Sequence, residues 1–305
     1  MDRLFIQEVA VRDGFQIEPR FVPSAEKIAL VDALSLTGLA KIEVTSFVSP
    51  KAVPNLRDAE EVMRGIRRVK GVVYTALVPN ARGAERALAC DADELNLVMS
   101  ASETHNRANV NRTTAQSLAG FVEVMQVVKG SRTRVNGSVS TAFGCPFEGD
   151  IPEARVLEFV ERYLGLGFHG ITLADTTGMA HPRQAGALAA AVLERFPGIE
   201  LTLHFHNTRG MGLANVLAGI EAGAIRFDAS LGGLGGCPFA PGATGNICTE
   251  DVVHMLEAMG YDTGVDLDLL LQVARRLPSI VGHDVPGQVA KAGRITDLHR
   301  PPPLP

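Results

Sequence analysis

The chain contains no tryptophan, three tyrosines and an aromatic fraction of 5%. That leaves little from which to build the stacking platforms of a nucleic-acid binder. Neither charge dominates: 29 Lys and Arg face 34 Asp and Glu, for a net charge of −5. A broad basic face for nucleic acid or an anionic membrane is therefore excluded. The four cysteines, Cys90, Cys145, Cys237 and Cys248, form no CxxC pair, so a disulfide scaffold is not expected and reduced thiols are. The opening residues, MDRLFIQEVAVRDG, read as a strand and lack the apolar core of a secretion signal. A cytoplasmic protein is the expectation. The longest uncharged stretch, 229–249, carries six glycines and two prolines and cannot be a membrane helix.

What is present is material for a large core. Of 305 residues, 46% are hydrophobic and 21% charged. Short runs rich in Val, Ile, Leu and Thr begin near Leu4, Lys41, Val72, Glu94, Thr133, Gly170, Glu200 and Arg226. Most are followed by a longer segment with helical spacing. Pro23–Ser24 opens one such helix, with Ile28, Val31 and Leu34 in phase and Gly38 as its stop. Pro152 opens another, with Val156, Phe159, Val160, Tyr163 and Leu164 on one face. Eight such units predict a (β/α)8 TIM barrel of the α/β class, with a doubly wound open sheet as the competitor. A single domain is expected over residues 1–298, with a stiff proline-rich tail at 299–305.

Polar residues cluster after several strands, as they would at one mouth of a barrel. The first strand reads on through Glu8 to Arg12-Asp13-Gly14 and Gln16, placing a cation beside a carboxylate. The seventh carries His204 and His206, and side chains two apart on a strand share a face. Neutral imidazoles are good divalent-metal ligands. With Asp13 they would leave coordination positions open for substrate. Asn246 is a candidate fourth ligand, and its hard amide oxygen favours Mg²⁺ or Mn²⁺ over zinc. Cys237 follows the run Gly232-Gly-Leu-Gly-Gly236, and a thiol on such a loop could move a proton. Glu43, Asp175 and Gln16 sit near strand ends, either touching substrate or orienting their neighbours. Each element also has a bland reading: a salt-bridged strand end, satisfied polar histidines, a plain flexible connection.

The segments EVAVRDGFQ, IEVTSFVSPKAVPN, FGCPFEG, LADTTG, HFHNTRGMGLAN and GGLGGCPFAPGATGN resemble the 3-hydroxy-3-methylglutaryl-CoA lyase family. That family stands beside the isopropylmalate and homocitrate synthases, which share the paired histidines but lack the glycine-rich cysteine loop. The resemblance runs from about Phe5 to Gly264. It implies that Asp13, His204, His206 and Asn246 bind the metal, that Arg12 stabilises an enolate oxygen, and that Cys237 is the loop-borne acid/base. It also puts Glu43, Asp175 and Gln16 near the substrate.

The reaction implied is retro-Claisen cleavage of 3-hydroxy-3-methylglutaryl-CoA to acetyl-CoA and acetoacetate. The alternatives are the same cleavage of another β-hydroxy dicarboxylyl-CoA, such as citramalyl-CoA, a Claisen-condensing synthase, and a non-catalytic binding barrel. Three departures from the family bear on the acyl group. Asn207-Thr-Arg209-Gly replaces Asp-Thr-Tyr-Gly, Gln16-Ile-Glu-Pro19 replaces Gln-Asn-Glu-Lys, and Ser138 replaces a tyrosine. Arg209 is a candidate for binding a substrate carboxylate or a CoA phosphate. A homodimer is the expected assembly.

Overall fold

In the computed structural model, which describes residues 3–236 and 245–298, eight parallel strands close into a barrel in chain order. They are β1 (Phe5–Glu8), β2 (Lys41–Ser46), β3 (Val73–Leu77), β4 (Glu94–Ser100), β5 (Arg134–Ser140), β6 (Gly170–Asp175), β7 (Glu200–Phe205) and β8 (Arg226–Ala229). Every strand starts within one residue of the position read from the sequence. The ring closes where Phe5–Glu8 pair with Arg226–Ala229, so the fold is a TIM barrel and not an open sheet.

Helices α1 (Ser24–Ser35), α2 (Ala59–Gly65) and α3 (Ala81–Leu88) follow the first three strands. Two, α4 (Glu103–Val110) and α5 (Thr114–Val128), follow β4. Then come α6 (Glu153–Gly165), α7 (Pro182–Arg195), α8 (Gly212–Glu221) and α9 (Thr249–Ala258). Their starts are built into the sequence. Thr113 and Gln116 form a reciprocal capping box for α5, while Asn80 and Ser102 accept backbone N–H groups at the starts of α3 and α4. Along α6, Val156, Phe159, Val160 and Tyr163 are buried as the helical phase requires. Three short helices, α10 (Leu267–Ala274), α11 (Leu277–Val281) and α12 (Val289–Ala292), complete the described chain, with α10 packed on α1 and α9. Among the described residues no helix is long and apolar enough to cross a membrane.

The apolar core is a shell between strands and helices, including Ile6, Ile42, Val44, Leu95, Leu97, Val139, Ile171, Leu173, Leu203 and Phe227. Inside the strands the lining is polar. Gln7, Lys41, Glu43, Thr75, Asn96 and Thr172 surround a cavity of about 20 Å³, enough for roughly one water. Many barrels fill this space with Val, Ile and Leu. Here Gln7 donates to Thr202 and Asn136 donates to Thr172, so the axis is held by hydrogen bonds.

One expectation is corrected. The first strand does not run through Arg12 and Asp13 but stops at Glu8. Glu8 Oε1 accepts the N–H of Ala10 at 2.8 Å, which turns the chain out of the extended conformation. A single π-turn, Ala10–Gly14, follows, in which the N–H groups of Arg12, Asp13 and Gly14 all point at the Val9 carbonyl. Such turns recur at functional sites. This one tips Arg12 and Asp13 over the barrel mouth.

Candidate active site

His204 and His206 leave the end of β7 two residues apart, and both are buried. Their Nε2 atoms lie 3.1 Å apart, and His206 Nε2 is 3.9 Å from Asp13 Oδ2. The ligand atoms of Asp13, His204 and His206 all fall within 4.8 Å of one another. Asn246 joins them across an isolated backbone bridge to His206. Its Nδ2 donates to Asp13 Oδ2 at 2.7 Å and to the Leu234 carbonyl at 2.9 Å. Its Oδ1 is buried with no partner, as is Nδ1 of His206.

Electrostatics favour a cation here. Burial would raise the Asp13 carboxyl, but Arg12, both histidines and the Asn246 amide outweigh it and hold the pKa at about 2. Burial and the neighbouring His204 push His206 down to about 3, so its ring is neutral and offers a lone pair. His204 is held differently. Its Nδ1 stands 3.1 Å from Asp228 Oδ2, and a carboxylate can only accept, so Nδ1 carries the proton and Nε2 is left for coordination. Burial opposes charge on His204, yet Asp228 outweighs it and raises the pKa. Asp13, Glu43 and Asp228 face one guanidinium, Arg12, with two imidazole nitrogens between them. The donor set, the excess of negative charge and the orphaned amide oxygen fit a hard divalent cation.

Arg12 lies between two carboxylates. Its Nε donates to Glu43 Oε2, and its Nη1 to Asp13 Oδ1 at 2.6 Å. Glu43 and Asp13 hold the guanidinium charged against burial, and burial raises Glu43 in turn. Gln16 follows the π-turn and donates to Asp13 Oδ1 at 3.3 Å. Glu43 is mid-strand in β2 and not at its end. Asp175 closes β6. Its Oδ1 accepts the N–H groups of Met179 and Ala180, while its Oδ2 is buried and unpartnered. Burial lifts it to about 6.

Arg209 sits apart and exposed, with Nη1 donating to the carbonyls of Thr177 at 3.0 Å and Gly178 at 2.9 Å. It lines a cavity of about 320 Å³ with Cys145, Thr177, Met179 and Thr208. Ser138 lies inside the barrel and donates to Asn96 Oδ1 at 2.8 Å. Cys237 lies outside the described residues. The stems of its loop are placed, however. A Cβ on Gly235 would stand 2.5 Å from Asn246 Nδ2 and 3.2 Å from Asp13 Oδ2, so the chain passes directly over the ligands. Cys90, Cys145 and Cys248 are buried free thiols.

Among the described residues a second group, Glu94, His169 and Glu200, also has ligand spacing. It lies at the strand starts, at the opposite mouth. Lys41 Nζ meets Glu94 at 2.5 Å, and Arg226 and Arg134 approach Glu200 at 3.5 and 3.9 Å. Three resident cations already balance these acids, so the group reads as an ion-paired layer.

Two residues that shape the site carry no sequence motif, Asp228 behind His204 and Asn96 behind Glu43; Glu8, which bonds to the backbone of the π-turn, lies within a motif but was not read as a site residue. Period-two alternation in β8 is the one signal that could have singled out Asp228, and its pairing with His204 comes from strand register.

The HMGL-like family model matches residues 3–277. A hydroxymethylglutaryl-CoA lyase of Bacillus subtilis is 45% identical, over 94% of this chain and 96% of that protein. An (R)-citramalyl-CoA lyase of Chloroflexus aurantiacus is 41% identical, over 97% of this chain and 96% of its own length. The solved structure of an HMG-CoA lyase from Acinetobacter baumannii, in complex with coenzyme A and 3-methylmalate, superposes with a TM-score of 0.96. It shares 59% identity, covering 99% of this chain and 98% of that one.

Proposed function

Since the chain belongs to the HMGL-like family, we propose that it is a divalent-metal-dependent carbon–carbon lyase that cleaves 3-hydroxy-3-methylglutaryl-CoA to acetyl-CoA and acetoacetate. The observation that carries this reading is the Asp13–His204–His206 cluster, with the free Asn246 Oδ1 beside it and the Arg12 guanidinium directly adjacent. Asp13, His204, His206 and Asn246 would hold Mg²⁺ or Mn²⁺, which when bound supplies a Lewis acid for the substrate's hydroxyl.

The remaining work falls to the chain. Cleavage needs a proton taken from the C3 hydroxyl, the C2–C3 bond broken, and its electron pair received by the thioester as an enolate. Asp175, with one free carboxylate oxygen and a pKa of about 6, is suited to accept that proton near neutral pH. Arg12, clamped by Glu43 and Asp13, would face the thioester oxygen and meet the developing charge. Cys237, two residues beyond a glycine lying against Asp13 and Asn246, would return a proton to C2 of the departing acetyl-CoA. Gln16 orients Asp13, and Arg209 would recognise a substrate anion.

A second reading stays specific: the same cleavage of citramalyl-CoA, favoured by the exposed Arg209 and by the citramalyl-CoA lyase relative. The test is incubation with Mg²⁺ or Mn²⁺ and both thioesters, with products identified by mass. Acetoacetate and acetyl-CoA support the first reading, pyruvate and acetyl-CoA the second. No cleavage of either sinks both.

A further inference from the structure

The Arg12–Glu43 pair does not stand on the barrel rim alone. Below it, Asn96 Nδ2 donates to Glu43 Oε1 at 3.0 Å. The opposite end of that amide, Oδ1, accepts from Ser138 Oγ at 2.8 Å and from Asn136 Nδ2 at 3.2 Å. Asn136 in turn donates to Thr172 Oγ1 at 3.0 Å. Room for Asn136 is made by Gly170, where a Cβ would stand 2.8 Å from Asn136 Oδ1. The direction of the Asn96 amide is therefore determined. A carboxylate accepts and cannot donate, so the NH₂ must face Glu43, and the oxygen then meets two donors.

We propose that Asn96, aligned by Ser138 and Asn136, is a positioning residue that holds Glu43 and, through it, aims the Arg12 guanidinium at the reacting thioester. The geometry gives each Glu43 oxygen one defined partner, Asn96 on Oε1 and Arg12 on Oε2. With Oε1 released, the buried carboxylate is free to rotate about its terminal torsion. Arg12 then keeps Asp13 as its fixed partner and swings toward it. Hydrogen-bonded networks of this kind lose more on a single deletion than their pairwise sum suggests. The proposal rests on the lyase reading for its catalytic consequence, though not for the geometry.

The test uses the full-length protein loaded with Mg²⁺. Asn96→Leu keeps the branching and the number of side-chain heavy atoms and removes both donor and acceptor. We expect kcat to fall roughly ten- to a hundredfold, the scale of an ångström-level misplacement, with KM changed less than about threefold. In a Glu43→Gln background the same substitution should cost little more, because the residue it acts through is already altered. Ser138→Ala, a milder change, should lower kcat in the same direction and guards against loss of folding in the leucine variant.

A readout independent of turnover is the Arg12 Nε–H signal in a ¹⁵N-arginine spectrum, assigned by its absence in Arg12→Lys. It should be sharp and slowly exchanging in the wild type, and shifted and fast-exchanging in Asn96→Leu. An unchanged signal overturns the proposal, as does additivity of the two substitutions in kcat. If the wild type cleaves no acyl-CoA, the lyase reading fails while the arginine signal still decides whether Asn96 positions Arg12.

Discussion

His204 on β7 and Asp228 on β8 lie in register, and the imidazole Nδ1 of the one stands 3.1 Å from Oδ2 of the other. This pairing sets which nitrogen is available to a metal. Asp228→Asn should weaken Mn²⁺ binding by about 10- to 100-fold, as loss of a ligand's hydrogen-bond partner commonly does, with the fold intact by circular dichroism. His206→Ala, which removes a ligand outright, should abolish both Mn²⁺ binding and turnover. Because Asp228 raises the pKa of His204, the cation competes with a proton there, so wild-type affinity should tighten as pH rises through that pKa. Titration calorimetry at several pH values measures both effects, and a pH-independent affinity would contradict the ligand assignment.

Cys237→Ser should cut kcat by roughly 10²–10⁴, the range for a positioned acid or base, and should leave Mn²⁺ affinity unchanged. A variant within a few-fold of wild type would reduce the loop to a cover.

Arg209 uses Nη1 on two carbonyls of the loop after β6, and its charge is felt at the Asp175 carboxyl, whose pKa burial raises and Arg209 lowers. Arg209→Tyr should shift the ratio of kcat/KM between 3-hydroxy-3-methylglutaryl-CoA and citramalyl-CoA by tenfold or more, about 1.4 kcal/mol of differential transition-state binding. Equal changes for both thioesters would make Arg209 a brace for that loop and move attention to Ile17, Pro19 and Ser138.

Glu8 offers a stability test far from turnover. Burial raises its pKa from 4.5 to about 7, against the bonds it accepts from Ala10, Leu231 and Thr249. A carboxyl with a raised folded-state pKa stabilises most below its unfolded value, and that contribution is lost as pH climbs through the folded one. The Glu8 contribution should therefore decline between about pH 4.5 and 7, by about 3 kcal/mol at most. Because His206, held down at about 3, contributes in the opposite sense over an overlapping range, the Glu8 share is read as the pH-dependent difference in Tm between the wild type and Glu8→Gln. Glu8→Gln imitates the protonated acid, since its NH₂ can donate to Thr249. It should remove that decline, and a Tm difference that does not change with pH would show that Glu8 titrates normally.

The strands were legible because Val, Ile, Leu and Thr runs alternate with helical segments, and because prolines such as Pro23 and Pro152 mark where helices open. His204 and His206 were legible for the same reason, since two residues apart on one strand already fixes a shared face. Arg12 and Asp13 were found as residues but placed on the wrong element. The π-turn depends on Glu8 bonding to the backbone two residues on, and no periodicity reports that. Asp228 and Asn96 were missed because their importance comes from neighbours 24 and 53 residues away in the chain. Such partners are set by how the ring closes and its strands register.

The hydrogen-bonded lining of the barrel constrains how such an enzyme can change. Where Leu meets Val, one methyl more or less is absorbed by small shifts. Where Asn96 meets Glu43, Ser138 and Asn136, exchanging one member strands another, at about 1–3 kcal/mol for each buried group left unpaired. Replacements along the axis are thus expected in matched sets, each restoring donor to acceptor. A new acyl preference would be acquired by rewriting the lining as a unit, while the greasy annulus outside the strands keeps the scaffold standing throughout.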